Sequence, residues 1–138
     1  MVNRQGKNKM GRVLASMSET ALQAHIVCLL ESYGRHDIEW HAVPNGEKRN
    51  KKTAWLLKLT GVRAGVADLM FLIDGKPIAL ELKTEVGKQS SAQSEWQERF
   101  ERAGGQYFIA FGIDQTIGVL NSIGAFRHRI VNSNPSED

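Results

Sequence analysis

The sequence predicts a single α/β domain in the order α-β-α-β-β-α-β-α, with a mixed sheet of about four strands flanked by helices. Three observations point there. Two runs rich in Leu, Ile and Phe flank an Asp74-Gly75 pair, the strongest short-range signal for a β-hairpin. Segments with apolar residues at helical spacing stand before and after that hairpin. The chain has 138 residues, 41% hydrophobic and 24% charged, which suits one core without disulfides or a structural metal.

Residues 1–14 carry Arg4, Lys7, Lys9 and Arg12 with no acid among them and show no periodicity, so they read as a flexible basic arm. The domain proper is expected over 15–131, with 132–138 a polar tail. A first helix is predicted from about Ser16 to Tyr33, stopping at Gly34, with Leu22, Ile26, Leu29, Leu30 and Tyr33 on one stripe. Cys28, the only cysteine, lies among Ile26, Val27, Leu29 and Leu30 and is expected as a small core residue; no intrachain disulfide is possible. Ile38 to Val43 alternates as a strand does and is closed by Pro44-Asn45-Gly46. A short helix is expected from Lys51 to Leu59, ending before Gly61.

The segment Gly61-Val62-Arg63-Ala64-Gly65 lacks the spacing of a phosphate-binding loop. Its glycines are expected to allow a tight approach into the strand that carries Asp68. Hairpin strands follow near Ala67–Ile73 and Lys76–Lys83. Gly87 to Ser91 reads as a loop, and a helix from about Ala92 to Ala103 sets Gln93, Trp96, Phe100 and Ala103 on one stripe before Gly104-Gly105 ends it. Tyr107 to Phe111 is continuously apolar and is expected as a central strand. Asp114 is placed as the cap of a last short helix through Leu120.

The hairpin carries the chemistry. If Asp74 and Gly75 are its two loop residues, Ile73 faces Lys76, Leu72 faces Pro77, and Asp68 falls opposite Glu81. In such a non-hydrogen-bonded pair the Cα atoms approach to about 4.5 Å. At an effective dielectric near 20, two carboxylates at that separation repel by roughly 4 kcal/mol. Lys83 points to the same face as Glu81, because side chains alternate along a strand, and offsets part of this. A hard divalent cation, Mg²⁺ or Mn²⁺, would offset it better. Such an ion with a nearby ammonium suits hydrolysis of a phosphodiester. An E-x-K triplet by itself is ordinarily a solvated sheet face, and a three-residue loop would send Asp68 to the opposite side.

Several segments together resemble a known family. Asn45-Gly46-Glu47-Lys48-Arg49-Asn50, then Gly61 to Asp68, then Glu81-Leu82-Lys83 and Gln93-Ser94-Glu95-Trp96, are similar in kind and order to the VRR-NUC family. That family belongs to the PD-(D/E)XK nuclease superfamily, and the likeness is to its small stand-alone members in bacteriophages and bacteria. It spans roughly Ser18 to Leu120. The resemblance implies a restriction-endonuclease-like core and a Mg²⁺- or Mn²⁺-dependent DNA endonuclease. It further implies structure-specific cutting of the Holliday-junction-resolving kind, and a symmetric homodimer.

Carried over by position, Asp68 and Glu81 are implied metal ligands, with the backbone carbonyl of Leu82 as a further one, and Lys83 is the implied catalytic lysine. Glu19 matches an additional acidic residue near the metal; the pattern Ser16 to Glu19 equally fits a capping box, and both roles stay open. Gln93 matches the family's glutamine, while Ser90 to Gln93 is again a capping-box pattern. Ala67 stands where the family commonly has proline before the aspartate.

Charge and composition add bounds. The net charge is +3 and the pI about 9.2, compatible with a polyanionic partner. Lys48, Arg49, Lys51 and Lys52 form a second basic cluster, read as phosphate contacts for DNA; Arg63 either reaches a phosphate or pairs with an acid. No apolar stretch approaches the length of a membrane span and no signal peptide is evident, so a soluble, cytoplasmic protein is expected. His25, His36, His41 and His128 lack metal-ligand spacing. Trp40, Trp55 and Trp96 are read as core or interface residues before base-stacking platforms. The alternative to a nuclease is a catalytically inactive module of the same fold that binds branched DNA or a protein, and a third reading is a structural subunit of a larger assembly.

Overall fold

A computed structural model describes residues 17–44 and 50–131. Its elements are α1 (Glu19–Tyr33), β1 (Glu39–Ala42), α2 (Lys51–Leu59), β2 (Leu69–Ile73), β3 (Lys76–Lys83), α3 (Ser91–Arg102), β4 (Gln106–Phe111) and α4 (Gly112–Ile123). The basic arm, Lys48, Arg49 and the C-terminal tail lie outside the described residues.

Local chemistry decides the hairpin. Asp74 and Gly75 take φ of 51° and 76°, the paired positive values of a turn whose twist matches the strands it joins. Ile73 then pairs with Lys76, Leu72 with Pro77 and Leu69 with Leu80, the expected register. Arg35 holds this turn from outside: its guanidinium donates to Asp74 and Asp37 and to the carbonyl of Gly124, linking the turn to the ends of α1 and α4. Nothing local announced that clamp, since Arg35 and Asp74 are 39 residues apart.

The sheet order is β1-β2-β3-β4, antiparallel throughout except for the parallel β3–β4 pair. Leu69, Phe71, Ile73, Ile78, Leu80 and Leu82 turn one face toward α1 and α4, where Leu22, Ile26, Leu30, Ile117 and Leu120 complete the core. The opposite face carries Ala79, Glu81 and Lys83, since side chains alternate along β3. All six residues from Ile78 to Lys83 are buried, so β3 is covered on both faces.

Several expectations are corrected. β4 is an edge strand, paired only with β3 among the described residues; its apolar run is explained by α3 and α4, which cover its two faces. α1 begins at Glu19, capped by Ser18, whose hydroxyl accepts from the Ala21 N–H. Its buried stripe is Leu22, Ile26 and Leu30, leaving Tyr33 exposed and Cys28 on the solvent side, two residues and so about 200° around from Ile26. Asp114 lies inside the first turn of α4, whose cap position is Phe111, and the helix runs on to Ile123 before Gly124 ends it with φ 76°. Trp55 is exposed, while Trp40 is half-buried and Trp96 stacks on Phe100 with centroids 4.7 Å apart. Among the described residues no helix is long and apolar enough to cross a membrane.

Candidate active site

β2 stops pairing at Leu69, one residue after Asp68, and that ending makes the site. The alternation of the hairpin aims the Leu82 N–H at the β2 side, where a continued ladder would offer a backbone carbonyl. Asp68 supplies its side chain instead: Oδ2 accepts from the Leu82 N–H at 2.8 Å. The carboxylate is thereby fastened beside Glu81, the residue opposite it by register. The carbonyl of Leu82 lies on the same flank, because N–H and C=O of one strand residue point the same way.

Glu81 is only 1% exposed. Its Oε1 accepts from Gln93 Nε2 at 2.7 Å and lies 3.6 Å from Lys83 Nζ. Its Oε2 is buried, and no donor among the described residues reaches it. Burial, and then the Asp68 charge, push the Glu81 carboxyl up to about 8. Burial also raises Asp68, against the Leu82 N–H and Lys83, which favour its charged form. Both acids therefore hold a proton more readily than free carboxyls do.

Gln93 forms the cap that its position suggested and also reaches Glu81. Its Oε1 accepts the Ser90 N–H at 2.8 Å while Ser90 Oγ accepts the Gln93 N–H, closing a capping box at α3. The other end of the same amide donates to Glu81. Only a side chain with an acceptor and a donor on one carbon does this, so a helix cap becomes a clamp on the acid.

Lys83 is 6% exposed, and its ammonium lies between Glu81 and Glu19, 3.8 Å from Glu19 Oε1. Glu19, at the first position of α1, thus comes to the lysine. Ser18 takes the cap, which leaves the Glu19 carboxylate free for that pairing. Among the described residues no three His, Cys, Asp or Glu side chains gather as a metal-ligand cluster, so Asp68 and Glu81 stand as a pair.

That pair nonetheless fits a hard cation. It offers two carboxylates with raised proton affinity and one buried oxygen lacking a donor. Mg²⁺ is commonly held by one or two carboxylates, with water and substrate phosphate completing its shell.

One positioning residue was visible in the sequence only as a glycine easing the approach into the strand that carries Asp68. Gly65, with φ 79°, packs its α-carbon against the Ala92-Gln93 peptide at the start of α3; a Cβ there would lie 2.7 Å from the Gln93 nitrogen. The segment leading to Asp68 is thereby seated on the helix that holds Gln93. Tyr107, on the same sheet face, bonds Gln89, and its hydroxyl is pushed up to about 12, chiefly by burial. A cavity of about 570 Å³ opens just past Lys83, at the C-terminal ends of β3 and β4, lined by Met17, Thr84, Glu85, Phe111 and Gln115 among others. Lys51, Lys52 and Arg63 are exposed on α2 and the segment after it, outside this cluster.

A four-stranded mixed sheet with helices on both faces, carrying Asp68, Glu81 and Lys83 at one end, defines the α/β fold of this chain. Solved structures narrow it. A protein described as "VRR_NUC domain protein" is similar with a TM-score of 0.58 at 22% identity, over 74% of this chain and 86% of that one. A second, described as "VRR_NUC domain", gives a TM-score of 0.52 at 19% identity, over 74% and 92%. The chain therefore has the fold of VRR-NUC domains. No family model matches the sequence, and no curated protein matches it.

Proposed function

We propose that this chain is a VRR-NUC-family nuclease that hydrolyses DNA phosphodiester bonds with Mg²⁺ or Mn²⁺. One observation carries the reading. A buried Glu81 carboxyl, with an oxygen that no donor among the described residues reaches, faces the half-buried Asp68 carboxyl beside a buried lysine. A purely structural site would pair such groups fully, because an unsatisfied buried carboxyl oxygen destabilises the fold.

In this reading Asp68 and Glu81 hold the ion, and the Leu82 carbonyl lies on the same flank. When bound, the cation polarises a phosphoryl oxygen and makes water more acidic. The rest falls to the chain itself. Gln93 fixes the rotation of Glu81, the Leu82 N–H fixes Asp68, and Glu19 positions Lys83. The Lys83 ammonium orients the attacking water in line with phosphorus and stabilises the charge that grows on the phosphate. Lys48, Arg49, Lys51, Lys52 and Arg63 make sequence-independent phosphate contacts. The finer proposal is structure-specific cutting of branched DNA, four-way junctions included, by a symmetric dimer in the cytoplasm; a dimer matches the two-fold symmetry of paired cuts.

Lys83→Ala is the test. The variant is expected to bind DNA nearly as the parent does and to lose most cleavage of plasmid and junction DNA in Mg²⁺. Cutting at a rate comparable with the parent's would remove Lys83 from the mechanism. A parent that binds branched DNA and never nicks it would favour the inactive-module reading.

A further inference from the structure

α2 is the least embedded element of the described fold. None of its residues is buried, and only Leu57 is half-buried. Of the eight exposed large hydrophobics among the described residues, four fall within 55–62: Trp55 (62%), Leu56 (52%), Leu59 (66%) and Val62 (48%). An apolar patch on one short helix that no other described element covers has a binding role more often than a structural one.

The charges around it narrow the occupant. From Asn50 to Ala67 the chain carries Lys51, Lys52, Lys58 and Arg63 and no acid. At helical spacing Lys51 and Lys58 lie one turn either side of Trp55, and Lys52 lies one turn before Leu56. A second copy docking here about a two-fold axis would set these lysines against their own images. A polyanion with exposed flat apolar faces meets both halves of the surface, and unpaired nucleic acid is that ligand: phosphates for the lysines, a base for the indole. Paired duplex offers only the first, because its bases already stack on one another.

We infer that α2 binds unpaired nucleotides at a branch or break in DNA, with Trp55 as the stacking platform and Lys51, Lys52 and Lys58 holding the flanking phosphates. This rests on the DNA-cutting role proposed above and adds to it the part of the substrate that is recognised. Gly65 rests on α3 beside Gln93, so the C-terminal end of α2 at Thr60 is tethered within roughly 18 Å of Gly65, five extended residues at most. α2 is thus tied by a short segment to the helix whose Gln93 reaches Glu81.

The test compares two fluorescein-labelled DNAs, a linear duplex and the same duplex carrying an unpaired flap. Both are titrated with the full chain in EDTA, so that affinity is read without cleavage. Trp55→Ala is expected to weaken flap binding by about tenfold, within the roughly 5- to 150-fold worth of one base–aromatic stack, and to change duplex binding by less than about threefold. Trp55→Phe, which keeps an aromatic face, should recover most of the difference. Lys58→Ala should weaken both DNAs alike and lower the salt dependence of each. Equal effects of Trp55→Ala on both DNAs, or none on either, would overturn the inference. So would a halving of the mass in light scattering with DNA binding unchanged, which would make the face a contact between copies. Plasmid nicking in Mg²⁺ by the parent tests the nuclease reading separately: a parent that cuts DNA while Trp55→Ala keeps full flap preference sinks this inference alone, and a parent that neither binds nor cuts DNA sinks both.

Discussion

Glu81→Gln exchanges one oxygen of a buried carboxyl for an amide of nearly the same shape, and it isolates the charge on which the proposed site depends. In the folded chain this carboxyl is pushed from 4.5 to about 8. Between those values the folded protein holds a proton that the unfolded chain has released. The sign follows: the contribution of this group to stability is at its best below about pH 4.5, declines as pH rises, and is fully lost above about pH 8. At about 1.4 kcal/mol per pH unit the limit is roughly 5 kcal/mol; relaxation and water entry reduce the measurable part to a few kcal/mol. Gln at this position keeps an oxygen for Gln93 and turns an N–H toward Asp68, so nothing is left unpaired. In EDTA at pH 8 the variant should therefore unfold in urea at higher concentration than the parent, by about 2–3 kcal/mol, and its stability should vary less between pH 5 and 8. Added Mg²⁺ should stabilise the parent at pH 8, because it binds only the folded pair, and leave the variant nearly unmoved. The same pH slope in both proteins would refute the buried-charge account, and equal Mg²⁺ stabilisation would refute the ligand assignment.

Two other perturbations act through geometry. Gly65→Ala puts a methyl into the Ala92-Gln93 peptide at a φ of 79°; a loss of about 2–4 kcal/mol is expected in urea unfolding, with cleavage falling further than DNA binding as Gln93 shifts from Glu81. Gln93→Glu keeps the acceptor for the Ser90 N–H but replaces the donor to Glu81 with a second charge, so the thermal midpoint in EDTA should fall more steeply toward pH 8 than the parent's. Gln93→Ala should lose about 1 kcal/mol from the cap without that added pH dependence.

The hairpin register was legible because it is set over a few residues. Asp-Gly demands a turn with two positive φ values, and the period of two then places every side chain as far as Asp68 and Glu81. The ends of α2 and the glycine stop of α1 were legible for similarly local reasons. Cys28 was misplaced because an apolar run does not say which of its members faces inward until something packs against the helix. β4 was expected at the sheet centre because burial of a strand by two helices leaves the same apolar pattern as burial between neighbouring strands. For Glu19 and Gln93 the local patterns offered a helix cap each; packing showed that Ser18 takes the cap of α1, and that one amide both closes the cap of α3 and reaches Glu81.

The sequence by itself determined which acids oppose each other, since backbone alternation and a tight turn need no distant partner. Tertiary structure alone decided that Glu19 comes to Lys83, that Gly65 rests on the first turn of α3, and that no other described element covers the apolar face of α2. Each of these is a meeting, or a failure to meet, of segments far apart along the chain. Such contacts depend on how whole elements pack, and no short run of residues encodes that.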